Sequence, residues 1–275
     1  MTSAGTPEAG LKSAVQQHWE DETCGTRYGE ADDRGEWFRE LSAARYALEP
    51  HIASFAGFAS ASGKDVLEIG VGAGADFENW CKHARHATGV DLTEAAIALT
   101  TERLQRAGVD PSQYTLQQSD AENLPFADAS FDLVYSWGVL HHTPDTPAAF
   151  REACRVLRPN GELRAMIYHV PSWTGWLLAL RHAMLSPRKA IFEHLESAGT
   201  KAYTVREARV LVKAAGFTPL ALSTDFGPGD LLSLKLSRKY DSPLARIALA
   251  LYPRWLVRLL GRRFGLDLMI AARKA

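Results

Sequence analysis

Three glycines and a series of carboxylates carry the chemistry that is legible in this chain of 275 residues. Gly70, Gly72 and Gly74, with Val71 and Ala73 between them, follow the apolar run Val66-Leu67-Glu68-Ile69 and precede a helical pattern that starts at Ala75. Glycines after a buried strand let the backbone approach a ligand closely, and the next helix presents free N–H groups to it. The loop alone does not choose the ligand, because Gly70, Gly72 and Ala75 also satisfy the relaxed dinucleotide pattern G-x-G-x-x-G/A. The acids discriminate. Glu68 stands two residues before Gly70, where a carboxylate suits a cation and opposes a pyrophosphate. Asp91 closes the next apolar run about 20 residues later, the place from which a carboxylate accepts hydrogen bonds from ribose hydroxyls. Asp120, Ala121 and Glu122 end a third run with more acid. Such a site is negative and predicts a nucleoside that is itself positively charged.

A second set of residues offers acid–base chemistry. His141, His142 and His169, with Tyr168, follow the fourth and fifth apolar runs, and histidine is the side chain best matched to proton transfer near neutral pH. Tyr168 and His169 are expected on the substrate side. Adjacency points the side chains of His141 and His142 apart and no acidic partner is obvious nearby, so a metal site is not expected there.

These residues need a scaffold. Apolar residues from Trp37 to Phe55 recur at three- and four-residue steps, a helical stripe in which Pro50 restarts the helix; another helix surrounds Val15 to Trp19. From Asp65 onward strands alternate with helices: strands at 66–69, 87–91, 114–117, 131–135 and 163–168, with Thr93 as one helix cap and Thr146, followed by Pro147, as another. A helix from Thr204 to Ala215 and strands at 219–223 and 266–272 complete the pattern. The expected fold is α/β, a doubly wound, mostly parallel seven-stranded sheet. The expected organisation is an N-terminal helical cap (1–60), a binding core (61–170), a lid insertion (171–203) and a C-terminal part of the core (204–275) carrying a basic, apolar insertion at 231–264.

At this point a resemblance can be named. Val66 to Gly74, Gly89-Val90-Asp91-Leu92, Asp120 to Phe126 with Ser130 to Val134, and Gly138-Val139-Leu140-His141-His142 with Arg155 to Leu163 resemble, in order, the motifs of class I S-adenosylmethionine-dependent methyltransferases of the methyltransferase-11 type. The similarity covers about Lys64 to Tyr168. It implies a Rossmann-like methyltransferase fold and S-adenosyl-L-methionine as cofactor. It places Glu68 and the glycines at the methionine portion, Asp91 with Leu92 at the ribose, and Asp120, Ala121 and Glu122 at the adenine. Trp137, after the fourth strand, is counted with these cofactor-binding residues. His18 to Tyr28 resembles the entry segment that folds over the cofactor, which brings in Trp19, Arg27 and Tyr28. The same resemblance leaves the His141–His142 pair open between a base and a support for its loop. Asn160 stands where the family usually has glycine, a turn position that tolerates both.

Composition bounds the rest. Lys plus Arg number 31 against 32 Asp plus Glu, which argues against a dedicated nucleic-acid binder. Three cysteines without paired spacing suggest neither a disulfide framework nor a zinc knuckle, so a reducing cytoplasm is expected. No apolar run reaches the ~20 residues of a membrane span. From Leu231 onward, ten Lys and Arg face two Asp, among interleaved Leu, Trp and Tyr. That segment suits an acidic substrate, an anionic membrane surface or an oligomer partner. Trp173, Trp176, Leu177, Leu178, Leu180 and Met184 are expected to form an apolar lid over a small-molecule acceptor. An RNA methyltransferase and a non-catalytic cofactor-binding regulator stand as alternatives.

Overall fold

The computed structural model describes residues 7–197, 199–232 and 252–275. Three helices precede the sheet: α1 (Pro7–Asp21), α2 (Arg34–Leu48) and α3 (His51–Ala56). Asp33 caps α2 by accepting the Glu36 N–H at 2.8 Å. Pro50 has no N–H to give and disfavours helical backbone at the residue before it. Glu49 accordingly leaves the helix at φ −128°, ψ 67°, and the stripe read from Trp37 to Phe55 is two helices with a break at Glu49-Pro50.

The alternating part runs β1 (Asp65–Ile69), α4 (Ala75–His83), β2 (His86–Asp91), α5 (Glu94–Arg106), β3 (Tyr114–Gln118), β4 (Phe131–Trp137), α6 (Thr146–Val156) and β5 (Leu157–Tyr168). Then come α7 (Trp173–Arg181), α8 (Pro187–His194), α9 (Val205–Ala214), β6 (Phe217–Asp225), α10 (Arg254–Leu260) and β7 (Asp267–Lys274). Thr93 caps α5 and Thr204 caps α9 with a reciprocal Glu207 bond, as their positions suggest. Two boundaries differ from the sequence reading. Asp145, not Thr146, caps α6, since its carboxylate accepts from Ala148 N. β5 starts at Leu157, which already pairs with Phe131, and Asn160 at φ 64° turns the chain within the strand. Of the expected insertion at 231–264, Lys235, Arg238, Lys239, Asp241 and Arg246 lie outside the described residues.

The seven strands lie in the order β3-β2-β1-β4-β5-β7-β6. β7 is antiparallel to both neighbours, and the pairs from β3 to β5 are parallel. Strand residues alternate between two cores. Leu67, Ile69 and Val134 pack with Phe150 of α6 and Val212 of α9 on one face. Val66, Leu133 and Tyr135 pack with Phe77 and Trp80 of α4 on the other. Every one of these side chains is at most 1% exposed, so trimming one to alanine costs about 2–5 kcal/mol. The strand order reverses between β1 and β4, and a ligand crevice opens outside the carboxyl ends of strands at such a switch point. Because β7 runs the other way, with Asp267 in register with Tyr168, its first residue joins that same edge.

Candidate active site

A cavity of about 290 Å³ opens at this edge, under α1 and the 23–28 segment. Its floor is the glycine loop. Gly70, Gly72 and Gly74 all have positive φ, at 85°, 51° and 75°. A Cβ on Gly70 would stand 2.1 Å from the Val139 side chain, so nothing larger fits. A Cβ on Gly72 would meet no atom within 4 Å, so the loop leaves room there for a ligand. The Gly72 N–H donates to Asp91 Oδ2 at 3.1 Å, and Thr93 donates its N–H and hydroxyl to Oδ1 at 3.1 and 2.9 Å. Burial nevertheless outweighs these bonds and raises the Asp91 pKa.

Glu68, at the end of β1, is 3% exposed, and its Oε2 has no hydrogen-bond partner among the described residues. Burial first, then Asp76 and Asp91, push its pKa well above the ordinary carboxylate range. Beside it, Arg45 of α2 donates to both oxygens of Asp76, through Nε at 3.0 Å and Nη2 at 2.5 Å. The hydroxyls of Tyr46 and Tyr135 donate to the same carboxylate at 2.9 and 2.8 Å. Asp76 is thus fully compensated and Glu68 is not. A buried carboxylate with an unused oxygen is a receptor for a ligand ammonium.

The far end of the cavity is closed by Asp120 and Ala121. Lys12 of α1 donates to Asp120 Oδ2 at 2.6 Å and also pairs with Glu122. Glu122 does not line the cavity; its second oxygen accepts the Asp145 N–H at 2.7 Å, holding the loop before α6, which corrects its expected place beside the ligand. Leu92, Trp137 and Trp19 do line it, with Arg27, Tyr28 and Cys24. Cys24 borders the cavity but is itself exposed.

The histidines separate into three roles. His142 lines the cavity, its Nδ1 held by the hydroxyls of Ser197 at 2.9 Å and Thr200 at 3.1 Å, its Nε2 3.4 Å from Glu196 Oε2, and its ring edge-on to Trp19. Tyr168 also lines it and donates to Glu196 at 2.8 Å. His141 is fully buried behind them, neither ring nitrogen has a partner among the described residues, and burial drives its pKa well below the ordinary value. It stays neutral and packs. The two rings lie 4.2 Å apart, against the expectation that they diverge. His169 does not reach the cavity; it binds the carbonyl of Gly265 at 3.0 Å and anchors the chain ahead of β7.

Residues that sequence reasoning missed line the rest of the cavity. Glu49, released from α2 by Pro50, accepts the Trp137 indole N–H at 2.9 Å. His51 Nε2 sits 2.9 Å from Asp267 Oδ2. Glu49, His51 and Asp267 each place one donor atom within 4.8 Å of the others, a spacing a divalent cation could use, although His51 and Asp267 already spend theirs on each other. The signal available in sequence was the charged Glu49-Pro50-His51 break itself. The apolar lid is also placed differently: Trp176 and Leu180 are 50% and 80% exposed, Trp173 stacks edge-on against Phe264, and α7 gives the cavity only Thr174. Leu195 and Glu196, after α8, form that wall.

Residues 67–165 match the family model of the methyltransferase domain. The core of this chain is a class I S-adenosylmethionine-dependent methyltransferase domain. The chain is 35% identical over 152 residues to a phthiotriol/phenolphthiotriol dimycocerosates methyltransferase of Mycobacterium tuberculosis, covering 53% of this chain and 54% of that one. The chain spans about half the length of that curated relative. The fold as a whole is similar to geranyl diphosphate C-methyltransferase from Streptomyces coelicolor A3(2), solved with Mg2+, geranyl diphosphate and S-adenosyl-L-homocysteine, at TM-score 0.64 and 16% identity over all of both chains. It is similar also to the [4+2]-cyclase SpnF, at TM-score 0.56 and 16% identity, covering 96% of this chain and 92% of that one. The methyltransferase domain fits its cofactor: Gly72 leaves space, Glu68 lacks a cation, and Asp91 and Asp120 follow along the strand ends.

Proposed function

We propose that the chain transfers a methyl group from S-adenosylmethionine to a small, largely apolar acceptor. The observation that carries this reading is the unpartnered oxygen of buried Glu68 beside the open face of Gly72, a receptor for an amino-acid ammonium at the end of β1. The bound cofactor would supply an electrophilic methyl group on a sulfonium. The chain's own part is to hold and to exclude: Glu68 and the glycine loop for the methionine portion, Asp91 for the ribose, Asp120 and Ala121 for the adenine, and α1 as a roof that keeps water out. Positioning of this kind supplies much of the acceleration of a direct displacement.

The acceptor end is bounded by Trp19, Trp137, Met166, Tyr168, Leu195 and Leu266, mostly apolar surface with a few polar groups. The relative that acts on dimycocerosates and the neighbour that acts on geranyl diphosphate support a lipid-like or terpenoid acceptor. His142 and Tyr168 stand on this wall as candidates to touch it. Exposed Trp255, Leu259 and Leu260 on α10, beside Arg254 and Arg258, support contact of that helix with an anionic membrane surface. A second reading, cofactor binding without methyl transfer, is favoured by the likeness to a cyclase, since this fold serves more than one chemistry.

The test is transfer of tritium from S-adenosyl-[methyl-3H]methionine to a panel of alkylphenols, terpenoid alcohols and hydroxylated polyketides. The reading expects label in at least one product and none with Asp91→Ala. Cofactor binding with no labelled product from the panel sinks it in favour of the second reading, and label only in added RNA sinks the small-molecule acceptor.

A further inference from the structure

One group of ionisable side chains, beside Trp137, takes no part in holding the cofactor. Glu49 is turned inward by the break at Pro50, and its Oε1 is fixed by the Trp137 N–H at 2.9 Å. Its Oε2 accepts no hydrogen bond among the described residues; the nearest cation is Arg45 Nη1 at 4.0 Å, and Arg45 is already committed to Asp76. Behind Glu49, Asp267 is 1% exposed and hydrogen-bonded to His51. Asp225 and Arg262, paired at 3.3 Å, stand beyond His51. Glu49 thus offers the cavity one oriented, unused carboxylate oxygen, backed by a second carboxylate that disfavours its ionised form. That is the arrangement of a general base.

Resting on the methyl-transfer reading, we propose that Glu49 is the catalytic base that takes the proton of a hydroxyl acceptor, with Trp137 and the Asp267–His51 pair as its positioning residues. The acceptor O–H bond breaks as its proton passes to Glu49 Oε2. The oxygen's electron pair forms the new C–O bond, and the C–S pair leaves on sulfur, so the products are a methyl ether, a neutral thioether and a protonated Glu49 that later releases its proton to solvent. Burial, then Asp267, raise the Glu49 pKa to about 7, which matches this task. The proposal selects hydroxyl acceptors over carbon acceptors and accounts for a carboxylate pair that binding alone does not need.

Two measurements test it. Isotope-edited infrared spectra of [δ-13C]Glu-labelled protein, wild type minus E49Q, read Glu49 without any turnover; a protonated carboxyl band that fades as pH passes about 7 is expected. Transfer to 4-butylphenol and to 4-nitrophenol is then compared at pH 8, where the second is largely ionised without help. E49Q is expected to lose about 100-fold on butylphenol, to recover most of that loss on nitrophenol, and to bind S-adenosylmethionine within two-fold of wild type. Equal losses on both phenols, transfer to neither, or a Glu49 ionised throughout would overturn the proposal. So would a requirement for Mg2+ or Mn2+ that E49Q abolishes, which would make the group a cation site. If E49Q does not fold, W137F serves: loss of the indole N–H must move the acid limb of the pH–rate profile upward, and an unmoved limb overturns the proposal. Absence of cofactor binding in wild type would instead sink the methyl-transfer reading itself.

Discussion

Lys12 of α1 donates to Asp120 just after β3 across 2.6 Å, tying the N-terminal helix over one end of the cavity. Both side chains are about a third exposed, so the pair is worth no more than about 1 kcal/mol and weakens with salt. Lys12→Met should therefore weaken cofactor binding by up to about 5-fold at low ionic strength, and the gap from wild type should shrink in high salt. Calorimetric titration at two salt concentrations measures it; an affinity that does not respond to the substitution shows that α1 is not a latch.

Burial, then Asp76 and Asp91, raise the Glu68 pKa well above the ordinary carboxylate range. A ligand ammonium against its free oxygen favours the ionised form, so binding lowers this pKa and expels a proton. Titrations with S-adenosylmethionine in buffers of different ionisation enthalpy near pH 7 should show net proton release. Glu68→Gln should bind more weakly and release none. Release that persists in the variant would assign the proton to another group.

Arg45 neutralises Asp76 inside a cluster that also contains Glu68, Tyr46 and Tyr135. Removing one partner of a buried pair strands the other charge, at about 3–5 kcal/mol. Arg45→Met should lower the urea midpoint accordingly, whereas Arg39→Met, on an exposed pair with Glu36, should leave it nearly unchanged. Equal midpoints for the two variants would refute the cluster's role.

Glu49 affects stability with a definite sign. Its folded pKa of about 7 lies above the ordinary 4.5, so the folded state binds its proton more tightly than the unfolded chain. Its contribution is fully present below about 4.5 and is lost as pH rises through about 7, on the order of 1–3 kcal/mol. Urea midpoints at pH 5 and 8 should show wild type losing stability relative to Glu49→Gln. A parallel pH response in both proteins would contradict the shift.

What the sequence revealed was whatever depends on neighbours in the chain. The glycine loop, Asp91 after β2 and the Thr93 cap of α5 are local patterns, and each stands where its pattern predicts. Arg45 meets Asp76 and Tyr135 across 31 and 90 positions, and Glu49 meets Asp267 only because β7 reverses direction at the sheet edge. No local period encodes such meetings. His141 and His169 misled for a related reason: placement after a strand brings a residue to the functional edge without fixing which way its ring turns. His141 turns into the core and His169 toward Gly265, while His142, one residue on, reaches the cavity.

The central claim is that the carboxylates at successive strand ends make a site for a cationic nucleoside. Titration of wild type and Asp91→Ala with S-adenosylmethionine, S-adenosylhomocysteine and NAD tests it most directly. Micromolar-range binding of the first two and none of NAD is expected, with both lost in the variant, whose part-buried Gly72 and buried Thr93 donors would be left unpaired at about 1–3 kcal/mol. Tight NAD binding with no response to S-adenosylmethionine would contradict it.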